Sequence, residues 1–295
     1  MKTFNTRSLY AILAAAGTLL VPLVMNAAHQ RPQVKSPRLY VFDCGALEGD
    51  PVRFNLKREE MATTNMSVAC YLVAHPNGTL VWDTGAVPDM DVKSENQSTR
   101  YHIVLTNTDR YVTLAKSLKG QLAEAGYSPK GITYLAQSHY HWDHTANSND
   151  FASATWLVRQ VERDAMFAEK PPDLVERSGF NALRNSKTVI IKTDEYDVFG
   201  DGAVVIKSAP GHTPGHQVLL VKLARTGPVV LTGDLYHYPE ERTLDRVPTF
   251  DADPAQNRKA RAAIDTYVKN NRAQLWIQHD FKANAALKKG PAFYD

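Results

Sequence analysis

The sequence predicts a mixed-sheet α/β protein whose helices cover the outer faces of its sheets. Three observations carry that expectation. Apolar runs of strand length recur from Arg38 to His279, with helix-spaced runs between them. Hairpin signals cluster in the first half of the chain. Several strand-like runs end in His or Asp, as expected of a sheet that gathers ligand groups beyond its strand ends.

Taken in order, "RLYVFDC" (38–44), "SVACYLVAH" (67–75) and "TLVWDTG" (79–85) read as strands. "PNG" between the second and third is a hairpin turn. In "YVTLAKSLKGQLAEAG" (111–126), Tyr111, Leu114, Leu118 and Leu122 fall at helical spacing, and Gly126 suits the end of a helix. "GITYLAQSH" (131–139) reads as a buried strand and "ATWLV" (154–158) as another. "RQVERDAMFAEK" (159–170) is a helix stopped by Pro171 and Pro172. Three more strands follow in "AVVIKSAPG", "HQVLLVKL" and "PVVLTGD". A helix over 253–271 has Asp253 at its cap and Pro254 in its first turn. "QLWIQHD" is the last strand and "KANAALKK" a short terminal helix. With no repeat period and no Gly/Ser linker, one catalytic domain over 29–295 is the simplest organisation.

Residues 1–28 stand apart. Lys2 and Arg7 precede a charge-free apolar stretch, Pro22 and then small residues, the pattern of a secretory signal with cleavage at Ala27 or Ala28. An uncleaved membrane anchor is the alternative, because the stretch is close to the shortest that spans a bilayer. The expectation is an exported protein, periplasmic or secreted, free of the membrane once the leader is removed. Lys2 and Arg7 supply two of the three net positive charges, so the mature body is near neutral and offers no electrostatic case for nucleic acid. At 43% apolar and 22% charged residues, it can bury a sizeable core. The only cysteines, Cys44 and Cys70, lie in strand-like runs. Export allows a disulfide, but the sequence favours two buried, small apolar side chains.

The chemistry lies in "SHYHWDH" (138–144), where three of 10 histidines and an aspartate occupy six positions at a strand exit. His139, His141, Asp143 and His144 are joined at other strand exits by His212, Asp234 and His279. Five imidazoles and two carboxylates suit divalent first-row metals, with zinc the usual occupant. Seven ligands exceed one tetrahedral shell, and a shared carboxylate is how two ions sit close together. His29, His75 and His102 read as surface or capping residues, and His216 as a structural support.

"SHYHWDH" with "GHTPGH", "LTGD" and a late "QHD" resembles the metallo-β-lactamase fold superfamily over nearly the whole mature chain. The resemblance implies an αββα sandwich, two mixed sheets with outer helices and the metals at one edge. It implies one ion held by His139, His141 and His212, and a second by Asp143, His144 and His279. Asp234 would bridge both, and Asp83 of "VWDTG" would support the metal loop. No cysteine lies near Asp234, unlike the β-lactamases with a cysteine ligand. "RLYVFDCGALEG", "VACYLVAHPNGTLVWDTG" and "GDLYHYPEERTLDRVPTFD" are instead similar to exported N-acyl homoserine lactonases, the quorum-quenching branch.

That branch implies opening of the homoserine lactone ring by a hydroxide bridging two divalent ions, with Asp234 or Asp143 moving the proton. Where the cytoplasmic members carry a catalytic tyrosine, this chain has His237 flanked by Tyr236 and Tyr238, so all three are candidates for the carbonyl contact. Trp142, Phe54, Met61 and Met66 are candidates for lining the acyl-tail groove. The alternatives are another hydrolase of this fold, acting on a β-lactam or other ester or lactone, and a non-catalytic metal- or signal-binding protein. The complete ligand set argues against the second. The oligomeric state is left open.

Overall fold

The structure is a computed structural model that describes Met1 and residues 32–105 and 108–295. The expected leader and its cleavage site lie outside the described residues, as does His29.

Two mixed sheets pack face to face. The first contains β1 (Arg38–Glu48), β2 (Asn65–His75), β3 (Gly78–Trp82), β4 (Thr99–Leu105), β5 (Thr108–Leu114), β6 (Tyr134–Ala136), β7 (Thr155–Val158) and β8 (Thr188–Ile190). Their order is β4-β5-β1-β2-β3-β6-β7-β8. Pairing is antiparallel from β4 to β3, then parallel from β3 through β8. The second holds β9 (Glu195–Asp197), β10 (Val204–Ser208), β11 (Gln217–Leu223), β12 (Gly227–Leu231) and β13 (Gln274–Trp276), in the order β13-β12-β11-β10-β9. A terminal strand, β14 (Phe293–Tyr294), pairs with β1.

Strand alternation assigns each side chain to a layer. Leu39, Val41, Tyr71, Val73, Leu80 and Trp82 of the first sheet meet Ile206, Leu219, Val221, Val229 and Leu231 of the second, forming the core between the sheets. The opposite set, including Tyr40, Phe42 and Leu72, faces outward with Leu118 and Leu122 of α1 (Leu118–Glu124), Trp142 of α2 (Trp142–Thr145) and Met166 of α3 (Gln160–Phe167). Beyond the second sheet and α4 (Pro239–Thr243), α5 (Pro254–Asn271) lays Ala260 and Ile264 on Val218, Leu220 and Val230. The layers are helix, sheet, sheet, helix, as expected. Asp253 caps α5 by accepting the Gln256 N–H, and α6 (Phe281–Ala286) follows the last strand. Among the described residues no helix is long and apolar enough to cross a membrane.

Two expectations are corrected. Tyr111 and Leu114 lie on β5, not on a helix. The helix starts only after Ser117, whose side chain caps it by accepting the Gly120 N–H. β5 is held by its ladders to β4 and β1, and this tertiary pairing overrides the helical spacing. The second correction is that Cys44 and Cys70 form a disulfide with Cα atoms 5.9 Å apart. Cys44 lies in the stretch of β1 where the register against β2 shifts, between Asp43 and Ala46, and Cys70 of β2 stands opposite Phe42. Both cysteines are also buried, so apolar packing and pairing coexist.

Candidate metal centre and its cavity

All seven sequence-predicted ligands converge at one edge of the sandwich, His139 and His141 from the loop after β6, Asp143 and His144 from α2, and three from second-sheet loops. His139, His141, His212 and Asp234 form one group able to hold a metal ion, and Asp143, His144 and His279 form another. Asp234 faces both. Its Oδ2 lies 3.5 Å from His139 Nε2 and 3.4 Å from His212 Nε2. Its Oδ1 lies 3.1 Å from both His144 Nε2 and His279 Nε2.

Local geometry explains the convergence. Gly233 has φ +49, and a Cβ there would fall 2.4 Å from Ser138 Cβ. Only glycine lets the Asp234 turn approach the histidine loop so closely. Asp83 occupies the left-handed region at φ 58, a conformation that costs energy and is kept where the surroundings enforce it. From there Oδ1 accepts the Ser138 N–H at 2.7 Å, and Oδ2 lies 2.9 Å from His144 Nδ1. Thr84, next in sequence, donates its N–H to the His144 carbonyl. The segment just after β3 thus holds the metal loop in place.

Most ligand imidazoles have their other nitrogen fixed, as metal-binding histidines do. His212 Nδ1 lies 2.8 Å from Asp251 Oδ1, and His279 Nδ1 lies 2.6 Å from the Ser67 carbonyl. His139 Nδ1 is 3.0 Å from the Ser138 hydroxyl. His216 supports the bridge, accepting the Asp234 N–H at Nε2 while Nδ1 lies 2.9 Å from the Ala209 carbonyl. Burial and the charge of His212 push His216 down to about 3, keeping it in the neutral form that can accept.

Three of the ligand nitrogens that face inward lack a hydrogen bond. His139 Nε2, His144 Nε2, His279 Nε2 and Asp234 Oδ1 are buried and make no hydrogen bond. Orphaned buried polar atoms are costly, and four aimed at one volume fit divalent cations. His141 Nδ1 and His212 Nε2 lie 3.1 Å apart, two ring nitrogens converging on the same point. Burial first, then neighbouring imidazoles, hold His139 and His141 well below the usual histidine range, as ligating nitrogens require. Burial opposes ionisation of Asp234, but His144, His279, His237 and His139 outweigh it and hold the carboxyl well below its usual range.

A cavity opens over this cluster, lined by Phe54, Met66, Trp142, Leu174 and Phe250 together with Asp143 and His237. Three of the four groove candidates, Phe54, Met66 and Trp142, therefore reach it. Met61 is buried in the adjoining core instead. Of the three carbonyl-contact candidates only His237 faces the cavity. The Tyr236 hydroxyl donates to Asp265 on α5, and the Tyr238 hydroxyl donates to the Thr64 carbonyl. His237 Nε2 sits 3.0 Å from Asp234 Oδ2, and its Nδ1 lies 3.2 Å from Glu241 Oε1. Burial opposes a charge there, yet Asp234 and Glu241 push His237 up to about 10.

His75 and His102 stay outside the cluster. His75 is buried rather than on the surface, with Nε2 2.9 Å from Asp201 and Nδ1 accepting the Asn77 N–H in the hairpin turn. His102 is exposed beside Asp109. Sequence reasoning missed Asp251, Leu174 and Phe250. Each sits in a loop without periodicity, and each acquires its place only through a long-range contact.

A model described as the metallo-beta-lactamase superfamily matches residues 63–275. The N-acyl homoserine lactonase AttM of Azorhizobium caulinodans is 28% identical over 269 residues, covering 88% of this chain and 98% of that protein. AttM of Rhizobium radiobacter is 29% identical, covering 87% and 98%. Among solved structures, a mutant of B. thuringiensis AiiA with N-decanoyl-L-homoserine bound at the active site superposes with a TM-score of 0.71 at 23% identity, over 89% of this chain and 100% of that one. AidC, a dizinc quorum-quenching lactonase in complex with a product, gives 0.62 at 18% identity, over 90% and 96%.

Proposed function

The chain belongs to the metallo-beta-lactamase superfamily, and from that premise we propose that it is a metal-dependent hydrolase that opens the ring of N-acyl homoserine lactones. One observation carries the reading: two ligand groups share Asp234 at the floor of a cavity with apolar walls. The curated relatives quoted above, named N-acyl homoserine lactonases, support the substrate class.

Two divalent ions, Zn2+ by ligand chemistry, would be held by His139, His141 and His212 on one side and Asp143, His144 and His279 on the other, supplying a nucleophilic water and polarising an ester carbonyl at neutral pH. The remaining work falls to the chain. Asp234 and Asp143 are the carboxylates placed to take the proton as the oxygen of water bonds to the acyl carbon. They return a proton to the ring oxygen as the acyl C–O bond breaks. His237, beside Asp234, is the group suited to meeting the substrate carbonyl. Trp142, Phe54 and Met66 exclude water and offer apolar surface to the acyl tail.

Mass spectrometry of the reaction tests this. Ring opening adds one water and keeps the acyl chain in one molecule, and acidifying the product restores the lactone. An amidase would release a fatty acid and the free lactone. Absence of ring opening at every chain length, with efficient β-lactam opening, would refute the substrate assignment and leave the hydrolase. We further propose that residues 1–28 are a leader removed on export. The pairing of Cys44 with Cys70 supports this reading, since disulfides persist in oxidising compartments. N-terminal sequencing of native protein starting at Ala28 or His29 is the expected result, and recovery of intact Met1 in membranes would overturn it.

A further inference from the structure

Glu162 stands in the first turn of α3 and is 3% exposed. Among the described residues it forms no salt bridge, an unusual setting for an enclosed carboxylate. Its acceptor capacity is divided between two loops. Oε1 accepts the Tyr140 backbone N–H at 2.9 Å and the Thr213 hydroxyl at 2.9 Å. Oε2 accepts the Gly215 N–H at 2.8 Å and lies 3.0 Å from the same hydroxyl. Tyr140 stands between His139 and His141, and Thr213 follows His212. One side chain thus ties together the backbones that present three imidazoles of the first ligand group.

The surroundings are shaped for this contact. A Cβ on Gly215 would fall 2.6 Å from Glu162 Cβ and 3.0 Å from its backbone nitrogen, so a larger residue would push the two elements apart. Arg159, just before α3, donates to the Thr193 and Asp194 carbonyls and fixes the start of the helix from the opposite side. Burial pushes the Glu162 carboxyl up to about 7, against the pull of its donors. Nothing in the proposed chemistry uses Glu162, and packing alone would be served by an apolar side chain.

We propose that Glu162 is a positioning residue: its carboxylate sets the separation of the 139–141 and 212–215 loops at which the first ligand group closes on its ion. The inference rests on the metal reading above. It predicts a selective effect, since His144 and His279 of the second group hang from other supports, Asp83 and the Ser67 carbonyl.

The test is calorimetric titration of chelator-stripped protein with Zn2+. Wild type should take two ions per chain. Glu162→Gln keeps the shape but turns an NH2 toward a donor, and should bind one ion as before and the other roughly 10- to 100-fold more weakly, the usual cost of losing an outer support. Thr213→Val removes only the hydroxyl and should weaken the same ion by a smaller factor. It carries the test should Glu162→Gln fail to fold. Unchanged affinity for both ions, or equal weakening of both, would overturn the proposal. Wild type binding no Zn2+ would overturn the metal reading and this inference with it, whereas two ions held without any lactonase activity would leave the inference standing.

Discussion

Reduction of the Cys44–Cys70 bridge offers the most quantitative test of the scaffold. The two cysteines are 26 positions apart. Closing a loop of that length removes about 12 cal/mol/K of entropy from the unfolded chain, or about 3.5 kcal/mol at 25 °C. Comparing oxidised and reduced protein of identical sequence isolates this quantity, because no side chain is truncated and no cavity opens. Urea titrations with and without reductant should differ by that free energy, a midpoint shift of about 1 M for a slope near 3 kcal/mol/M. In a domain of this size each kcal/mol moves Tm by about 2 °C, so the reduced protein should melt ~7 °C lower. Thiol counts must accompany the curves, none in the oxidised sample and two in the reduced. Superimposed curves with those counts would refute the chain-entropy reasoning. Two free thiols in protein purified without reductant would refute the bridge.

Further outcomes follow from the cavity and its supports. Trp142→Ala should reduce kcat/KM more for long acyl chains than for short ones. Losing the burial of two methylenes is worth roughly tenfold, and an equal loss at every chain length would assign Trp142 to the metal loop alone. Asp251→Asn can present its oxygen to His212 Nδ1 or to the Asn257 amide, but not to both. Metal affinity should fall roughly 10- to 100-fold by chelator competition, and wild-type affinity would show that the carboxylate does not orient His212.

The ligand set was legible because its signal is local. Strand-exit histidines at H-x-H-x-D-H spacing need no knowledge of the fold to stand out, and Asp234 and His279 close runs that read as strands. The supports were harder to read. Asp251 matters only because α5 folds back onto the loop of His212, and Glu162 only because α3 starts beneath Tyr140. Neither relation leaves a spacing in the chain. The 108–114 segment shows a different limit. Its apolar residues satisfy both periods over a short window, and the Ser117 cap was the sign that the helix begins later. The cysteine pair shows a third, since composition reports burial but not the distance between two sulfurs.

The ligands span 140 positions, from His139 to His279, and come from both sheets of the sandwich. No early portion of the emerging chain contains them all, and contacts of such sequence separation are late to form. Ion binding is therefore an event of the finished molecule, selected in whichever compartment folding is completed. Because it rewards only the native arrangement, free ion at a thousand times its dissociation constant would deepen the native well by about 4 kcal/mol. The centre thus acts as a clasp across the seam between the sheets, one that a chelator can open and that a chain ending before His279 never closes.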